Sequence, residues 1–429
     1  MPVSAGRDFR AALPSLLIIA VLMAAGNTMM GVFATVQEAA KAELGLSDTQ
    51  IGLMQGLANS IPLALLSVPM GLLVDRLNRV RLLALTSLIW TAGTLLTAYA
   101  DSLSILFTAR MLAGLGANIS TTIGVSLAAD LCRAEIRGRS MLLLTIGKYA
   151  GSAAAFALGG QLFGLFAKSG LYGLPAWRSV HLVLGLGSAA LTLLLLALRE
   201  PARQERETIS APARMVAREL WARRAFLLPM FVGQTSVLMA DAAAAIWAAP
   251  VLSRSFGQTP AQFAGWMGLV VFGAGVVGAL AGGIAADWGH RSGRRGGILI
   301  GAVIAALVAF PAALFPIMPN VFWFGAAMTL LLLGGTVTGL VVATAIAVLL
   351  PNELRGLCVG TFVAFGGLIA FGLSPPLVTG LSLWLGGESH LAAALAVVGL
   401  AVSIIGVLGF ALAYRNAPLN YGDEAADLR

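Results

Sequence analysis

The sequence predicts an all-α membrane protein, with twelve transmembrane helices in two pseudo-symmetric six-helix bundles. Three observations carry that prediction. First, 59% of the 429 residues are hydrophobic and 11% are charged, against about 45–50% and about 25% in soluble domains. Second, twelve apolar runs are each long enough to cross a bilayer, which takes about 20 residues. Third, the second half of the chain repeats landmarks of the first at a fixed spacing.

The runs are 11–36, 50–73, 80–100, 103–129, 140–166, 180–198, 226–252, 262–286, 298–318, 321–349, 356–384 and 391–413. Lipid demands that each backbone polar group be paired within its own segment, so runs of this length are helices. The short alternating strands of a barrel are absent from the pattern. The first run is too long for a signal-peptide core and is read as an uncleaved helix. Of 27 Lys and Arg residues, 21 fall on the side that holds both termini, 4 fall opposite (Lys41, Lys168, Arg178 and Arg254), and Arg110 and Lys148 lie inside runs. That bias places both termini in the cytoplasm. The net charge of +8 is therefore a topology signal, and no nucleic-acid partner is expected. An Arg-, Ala-, Gly- and Leu-rich chain suggests a bacterial inner membrane.

The one long polar segment, Arg199 to Arg224, carries seven Arg and four Glu. It divides the chain into an N-terminal bundle (1–198), a cytoplasmic linker (199–225), a C-terminal bundle (226–414) and a cytoplasmic tail (415–429). Leu44-Gly45-Leu46-Ser47-Asp48-Thr49-Gln50 is echoed by Phe256-Gly257-Gln258-Thr259-Pro260-Ala261-Gln262, and Gly71-x-x-x-Asp75 by Gly283-x-x-x-Asp287, both 212 residues on. Arg137-Gly138 is echoed by Arg355-Gly356 at a nearby offset. Internal repeats of this kind mark many secondary transporters.

After the second run the chain reads Gly71-Leu72-Leu73-Val74-Asp75-Arg76-Leu77-Asn78-Arg79-Val80-Arg81. Glycine permits close helix packing, and an Asp at a helix end engages a neighbouring helix N-terminus or an arginine. A chance Asp beside a positive-inside anchor is the plainer reading. The segment closely resembles the G-x-x-x-D-R-x-x-R-x-R signature of the major facilitator superfamily, with a second copy from Gly283 through Asp287 to Arg291. Leu106-x-x-x-Arg110-x-x-x-Gly114-Leu115-Gly116 is similar to the superfamily's second motif, with Ala113 where Gln is common. Asp130, Arg133, Glu135, Arg137 and Gly138 match its loop after helix 4, and Trp177-Arg178 fits before helix 6.

The resemblance implies a secondary transporter in which two bundles enclose a central site and expose it alternately. It further implies a cytoplasmic gate of Gly71, Asp75, Arg76, Arg79, Asp130 and Arg137, with Gly283, Asp287, Arg291 and Arg355 as the second copy. A network made in one state and broken in the other is a bistable latch. Residues 44–56 look like the spinster-like branch, which includes sphingolipid and lysolipid transporters. That branch carries an Asp-Arg pair where this chain has Met29 and Met30, and a Glu where it has Ala117, so the branch's substrate and coupling do not transfer.

An ionisable group at mid-bilayer costs about 2.5–3.5 kcal/mol on insertion scales, so few persist without a use. Asp241 lies near the middle of the seventh run, and the repeat offset sets it opposite Met29. It is the candidate for binding the coupling proton or cation; the alternative is a carboxylate bonded to neighbouring helices or protonated throughout. Arg110 either binds an anion or tunes an acid, or is bonded to carbonyls. Lys148 either snorkels to the surface or faces the cavity. Asn27, Gln55, Asn59, Asn118, Tyr149, Gln234 and Trp247 are further cavity candidates, although a lone polar residue is more often an interhelical hydrogen bond. The fold resemblance places runs 1, 2, 4, 5, 7, 8, 10 and 11 around the cavity and 3, 6, 9 and 12 toward lipid. Pro62, Pro69, Pro375 and Pro376 are expected to bend their helices.

No phosphate-binding G-x-x-x-x-G-K-[ST] loop, G-x-S-x-G nucleophile motif or His/Cys metal spacing occurs, and His181, His290 and His390 lie near membrane surfaces. No cofactor or metal is expected, and the chain is not read as an enzyme. The reading is a secondary active transporter of a small organic or amphipathic solute, proton-coupled and working as a monomer among membrane lipids. The alternatives are a drug or metabolite exporter, whose expected helix-5 glycine–proline motif this chain lacks, and a nontransporting sensor.

Overall fold

A computed structural model describes residues 8–133, 136–203 and 213–418; the expectations on Arg7, Glu135 and Arg429 lie outside them. The helices are α1 (Phe9–Leu44), α2 (Asp48–Arg76), α3 (Arg79–Ala98), α4 (Leu103–Leu131), α5 (Arg137–Phe166), α6 (Ala176–Thr192), α7 (Ala213–Ala222), α8 (Arg224–Phe256), α9 (Pro260–Arg291), α10 (Ile300–Ala312), α11 (Val321–Leu349), α12 (Asn352–Trp384) and α13 (Leu391–Asn416). Among the described residues, eleven helical segments are long and apolar enough to span a membrane, and twelve if the bent α2 counts as one span. The bend, of 57°, falls between Leu66 and Pro69, as Pro69 predicts.

Three elements differ from expectation. The polar linker contains a helix, α7, whose Leu220 packs on the core of the second half. The sixth run changes to a 3₁₀ turn over Leu193–Ala197. The ninth has a short α-helix, α10, flanked by 3₁₀ turns at Gly297–Leu299 and Phe315–Ile317. Pro311 and Pro316 bracket the end of that helix, where their missing N–H groups cannot extend the ladder.

Backbone contacts divide the chain into two compact units, Met1–Glu207 with Leu252–Phe272, and Thr208–Val251 with Gly273–Arg429. The repeat has a conformational cause. Gly45 (φ 63°) and Gly257 (φ 64°) both take the left-handed conformation just past a helix end, the preferred place for glycine. Two residues later Ser47 and Gln50 form a reciprocal capping box: the Gln50 N–H donates to Ser47 Oγ (3.2 Å) and the Ser47 N–H to Gln50 Oε1 (2.8 Å). Thr259 and Gln262 repeat half of it, with the Thr259 N–H donating to Gln262 Oε1 at 2.8 Å.

In the first unit, α5 lies against α1 along Gly147, Gly151 and Ala155. A side chain at Gly147 or Gly151 would collide with the backbone of Ala20 or Ala24. The close approach lets Thr28 and Thr35 of α1 donate to the carbonyls of Gly151 (3.0 Å) and Ala155 (3.1 Å). Small residues bringing helices together, with hydroxyls bonding across, is how helices associate where lipid supplies no hydrophobic drive. Trp90, fully buried, fills the space between α3 and its neighbours and donates to Ser188 of α6 at 2.7 Å.

Candidate functional site

Arg110 follows two helical turns of α4, 1% exposed. Its Nη1 donates to the Met29 carbonyl (3.1 Å) and its Nη2 to the Met30 carbonyl, and its Cζ lies 5.4 Å from the centre of the Phe33 ring. The arginine thus binds the backbone of α1 at the two positions where the spinster-like branch carries its charged pair. Its Nε is buried without a partner among the described residues.

His181 packs near Phe33, with ring centres 6.0 Å apart. His181 is fully buried inside the protein, its Nδ1 donating to the Trp177 carbonyl (2.8 Å) and its Nε2 unpaired among the described residues. Hydropathy alone does not show that Trp177, Arg178, His181 and Ser188 form a buried face of α6.

In the second unit Asp241 lies on α8 with its Oδ1 buried and without a partner. Gln234, two turns earlier on the same face, is 2% exposed with Oε1 unpaired, and the Nε1 of fully buried Trp247 is also unpaired. Lys148 is exposed, with its Nζ 5.7 Å from the Tyr149 ring centre.

Gln55 makes one of the expected interhelical bonds, its Nε2 donating to Gln37 Oε1 of α1 at 2.6 Å. Asn27, Asn59 and Asn118 donate instead to carbonyls four residues back in their own helices: Met23, Gln55 and Gly114. A short amide reaches its own preceding turn more readily than a neighbouring helix, and the amide oxygen of Asn59, Oδ1, is left unpaired among the described residues.

At the end of α2 the structure gathers part of the expected gate. Arg79, 1% exposed, pairs with Asp130 of α4 and, at 2.8 Å, with Glu200; it also donates to the Ser126 carbonyl (3.2 Å) and hydroxyl (3.1 Å). Glu200 was not anticipated. Its second oxygen accepts from the Val80 N–H (2.9 Å), so it caps α3 while it neutralises Arg79. Arg203 donates to the Val74 (2.8 Å) and Leu77 (2.7 Å) carbonyls at the end of α2.

Asp75 and Arg76 are exposed and make no side-chain hydrogen bond among the described residues. Nor does Gly71 serve a close approach: a side chain there would meet nothing, and one at Gly283 would only touch Leu340 at 3.7 Å. Both glycines lie on helix faces that their own unit leaves open. Asp287 and Arg291 of the second copy are likewise exposed. The two echoing arginines share a task. Arg137 Nε donates to the Ala129 carbonyl (3.2 Å) and Arg355 Nε to the Leu350 carbonyl (2.9 Å), each near the end of the preceding helix. A cation there satisfies orphan carbonyls and the helix dipole.

A second charge cluster escaped the sequence reading. Near the end of α8, Arg254 donates to both oxygens of Glu38 (2.9 and 2.7 Å) and both of Asp48 (2.6 and 2.7 Å), and Lys41 donates to Asp48 Oδ1 at 2.6 Å. Close by, Glu43 accepts from Trp177 Nε1 (2.6 Å) and Arg178 Nε (2.9 Å). Paired two-pronged contacts are the strong form of the arginine–carboxylate bond. Arg254→Ala is expected to lower unfolding stability by about 2 kcal/mol, below the range for fully buried pairs because Arg254 and Glu38 are partly exposed. Thermal unfolding in detergent checks it, and Arg254→Lys should recover part of the loss.

The Major Facilitator Superfamily profile matches residues 16–375. Human protein spinster homolog 1 is 29% identical over 227 residues, 50% of this chain and 41% of its own length. An uncharacterized protein in the puhA-bchM intergenic region of Rhodobacter capsulatus is 28% identical over 300 residues, 66% of this chain and 56% of its own. The chain thus spans about half the length of the curated relatives it matches. Among solved structures, a bacterial homolog of the human lysosomal transporter Spinster, inward-facing and unoccupied, superposes with a TM-score of 0.78 at 20% identity, over 94% of this chain and 96% of the other. A D-xylose-proton symporter does so at 0.65 and 15%, over 91% and 96%. The chain belongs to the Major Facilitator Superfamily.

Proposed function

We propose that the chain is a secondary active transporter that moves a small organic or amphipathic solute by alternating access, coupled to protons through Asp241. The observation that carries the reading is the isolation of that carboxyl. Across α10, α11 and residues 358–384 and 391–413, the second unit has no Asp, Glu, Lys, Arg or His, and Asp241 Oδ1 has no hydrogen-bond partner. An acid kept at that depth without a countercharge in its own unit has no structural bond to justify its cost. Binding and releasing a proton gives it a use.

Arg110 is the site's fixed positive charge, since a guanidinium does not titrate in a protein. Gln55, Asn59, Asn118, Tyr149, Lys148, Gln234 and Trp247 are proposed to contact the solute. Arg79, Asp130, Glu200 and Arg137, with Asp75 and Arg76, are proposed as the gate on the side of the termini, repeated by Asp287, Arg291 and Arg355. The charge bias of the loops supports cytoplasmic termini in a bacterial inner membrane, and each monomer is a complete transport unit. The name of the D-xylose-proton symporter supports proton coupling as a property found on this fold.

A thermal-shift screen of detergent-purified protein tests the proposal, using lysolipids, sphingoid bases, organic acids, sugars and cationic drugs. A bound ligand raises apparent stability by mass action. One class is expected to stabilise the protein, with the shift lost in Arg110→Ala. A stabilising ligand whose effect survives both Arg110→Ala and Asp241→Asn would sink the site assignment.

A further inference from the structure

Asp241 faces a helix with no side chain opposite it. A methyl group at Gly335 of α11 would stand 2.7 Å from the Asp241 Cγ and 2.8 Å from its Oδ1, and closer still to Oδ2. The carboxyl therefore rests directly on bare backbone. One turn along α11, Gly339 leaves a similar gap, with the Gln234 Nε2 3.6 Å from where a methyl would be. Gln234 and Asp241 are seven residues apart on one face of α8, about 10.5 Å along its axis, so the two polar side chains of α8 lie against two glycines of α11.

No ionisable group occurs on α11, and the hydroxyl of Thr338 donates to the Gly335 carbonyl at 3.0 Å. The charged groups of α8 itself are Arg224 and Arg254, at its two ends, and the membrane-depth parts of α10, α12 and α13 carry none.

We infer that Gly335 is the positioning residue of the coupling acid, a notch in α11 that seats the carboxyl of Asp241. The inference rests on the reading of Asp241 given above. A proton adds to one carboxylate oxygen, no bond breaks, and the neutral acid left behind is the form that a site without a countercharge accepts. Gly335 thus sets where the carboxyl stands as it gains and loses its proton.

The test reads the protonated-carboxyl stretching band by infrared spectroscopy of the full chain in lipid vesicles, titrated with pH. The native protein should show a band that titrates and that Asp241→Asn removes; persistence of the band in Asp241→Asn overturns the Asp241 reading itself. Gly335→Ala should shift the midpoint of the band by roughly one pH unit or more, whereas Gly339→Ala, whose methyl meets only ordinary contact, should not. A band lost in Asp241→Asn but unmoved by Gly335→Ala overturns the notch and leaves the Asp241 reading standing. Should Gly335→Ala fail to fold, Asp241→Ala/Gly335→Ala should restore folding, because the methyl then fills the space of the deleted carboxyl; failure of the pair overturns the notch as well.

Discussion

Asp241→Asn abolishes uphill, proton-driven accumulation of solute in proteoliposomes, while exchange of solute down its own gradient continues. The argument is chemical. The amide keeps the size of the carboxyl and still fits beside Gly335, but it binds no proton in the accessible pH range. Asp241 makes no ion pair in the described structure, so the substitution strands no partner, and stability should change by less than about 1 kcal/mol. The inside concentration of the solute should fall to that outside, with the protein still monodisperse and ligand-responsive. Accumulation at the native level in this variant would remove Asp241 from the coupling mechanism.

Arg79→Ala has the largest expected effect on stability. Arg79 is buried between Asp130 and Glu200 and also holds Ser126. Its removal leaves two carboxylates facing each other across the vacated space. Breaking a buried pair costs about 3–5 kcal/mol; the side chains of Asp130 and Glu200 are 12% and 24% exposed, which puts the expectation at about 3 kcal/mol after screening. Thermal unfolding measures it. Arg79→Lys should recover part of the loss, since an ammonium restores charge without the planar fork. Removing one acid as well, in Arg79→Ala/Asp130→Asn, should destabilise less than Arg79→Ala alone. Additive losses in the pair would mean that the network is not coupled.

Much of the fold was legible because bilayer physics writes itself into hydropathy. Apolar length marked the spans, and the Gly45/Gly257 and Ser47–Gln50/Thr259–Gln262 echoes turned out to be matching helix ends. What escaped depended on partners far apart in sequence. Arg254 finds Glu38 and Asp48 at separations of 216 and 206 residues, and Arg79 finds Glu200 across 121. One signal was available: the few basic residues opposite the termini sit among Glu38, Glu43 and Asp48, and such a local balance invites pairing. Within the motif, Arg79 is buried and paired with Asp130 and Glu200, whereas Asp75 and Arg76 are exposed. The alternating face of α6 that buries His181 was hidden in a run whose overall apolarity suggested lipid. Seating of Asp241 against Gly335 had no sequence signal, because glycines are too common in this chain, 51 in all, for one to stand out.

The central claim is that solute and proton move together through Asp241. Its most direct test is solute-evoked proton movement, recorded by a pH-sensitive dye trapped in proteoliposomes, with the solute class found by the thermal-shift screen. The account predicts a pH change on adding solute to the native protein, and none with Asp241→Asn although solute still equilibrates. Solute entry in the native protein with no accompanying pH change would contradict it.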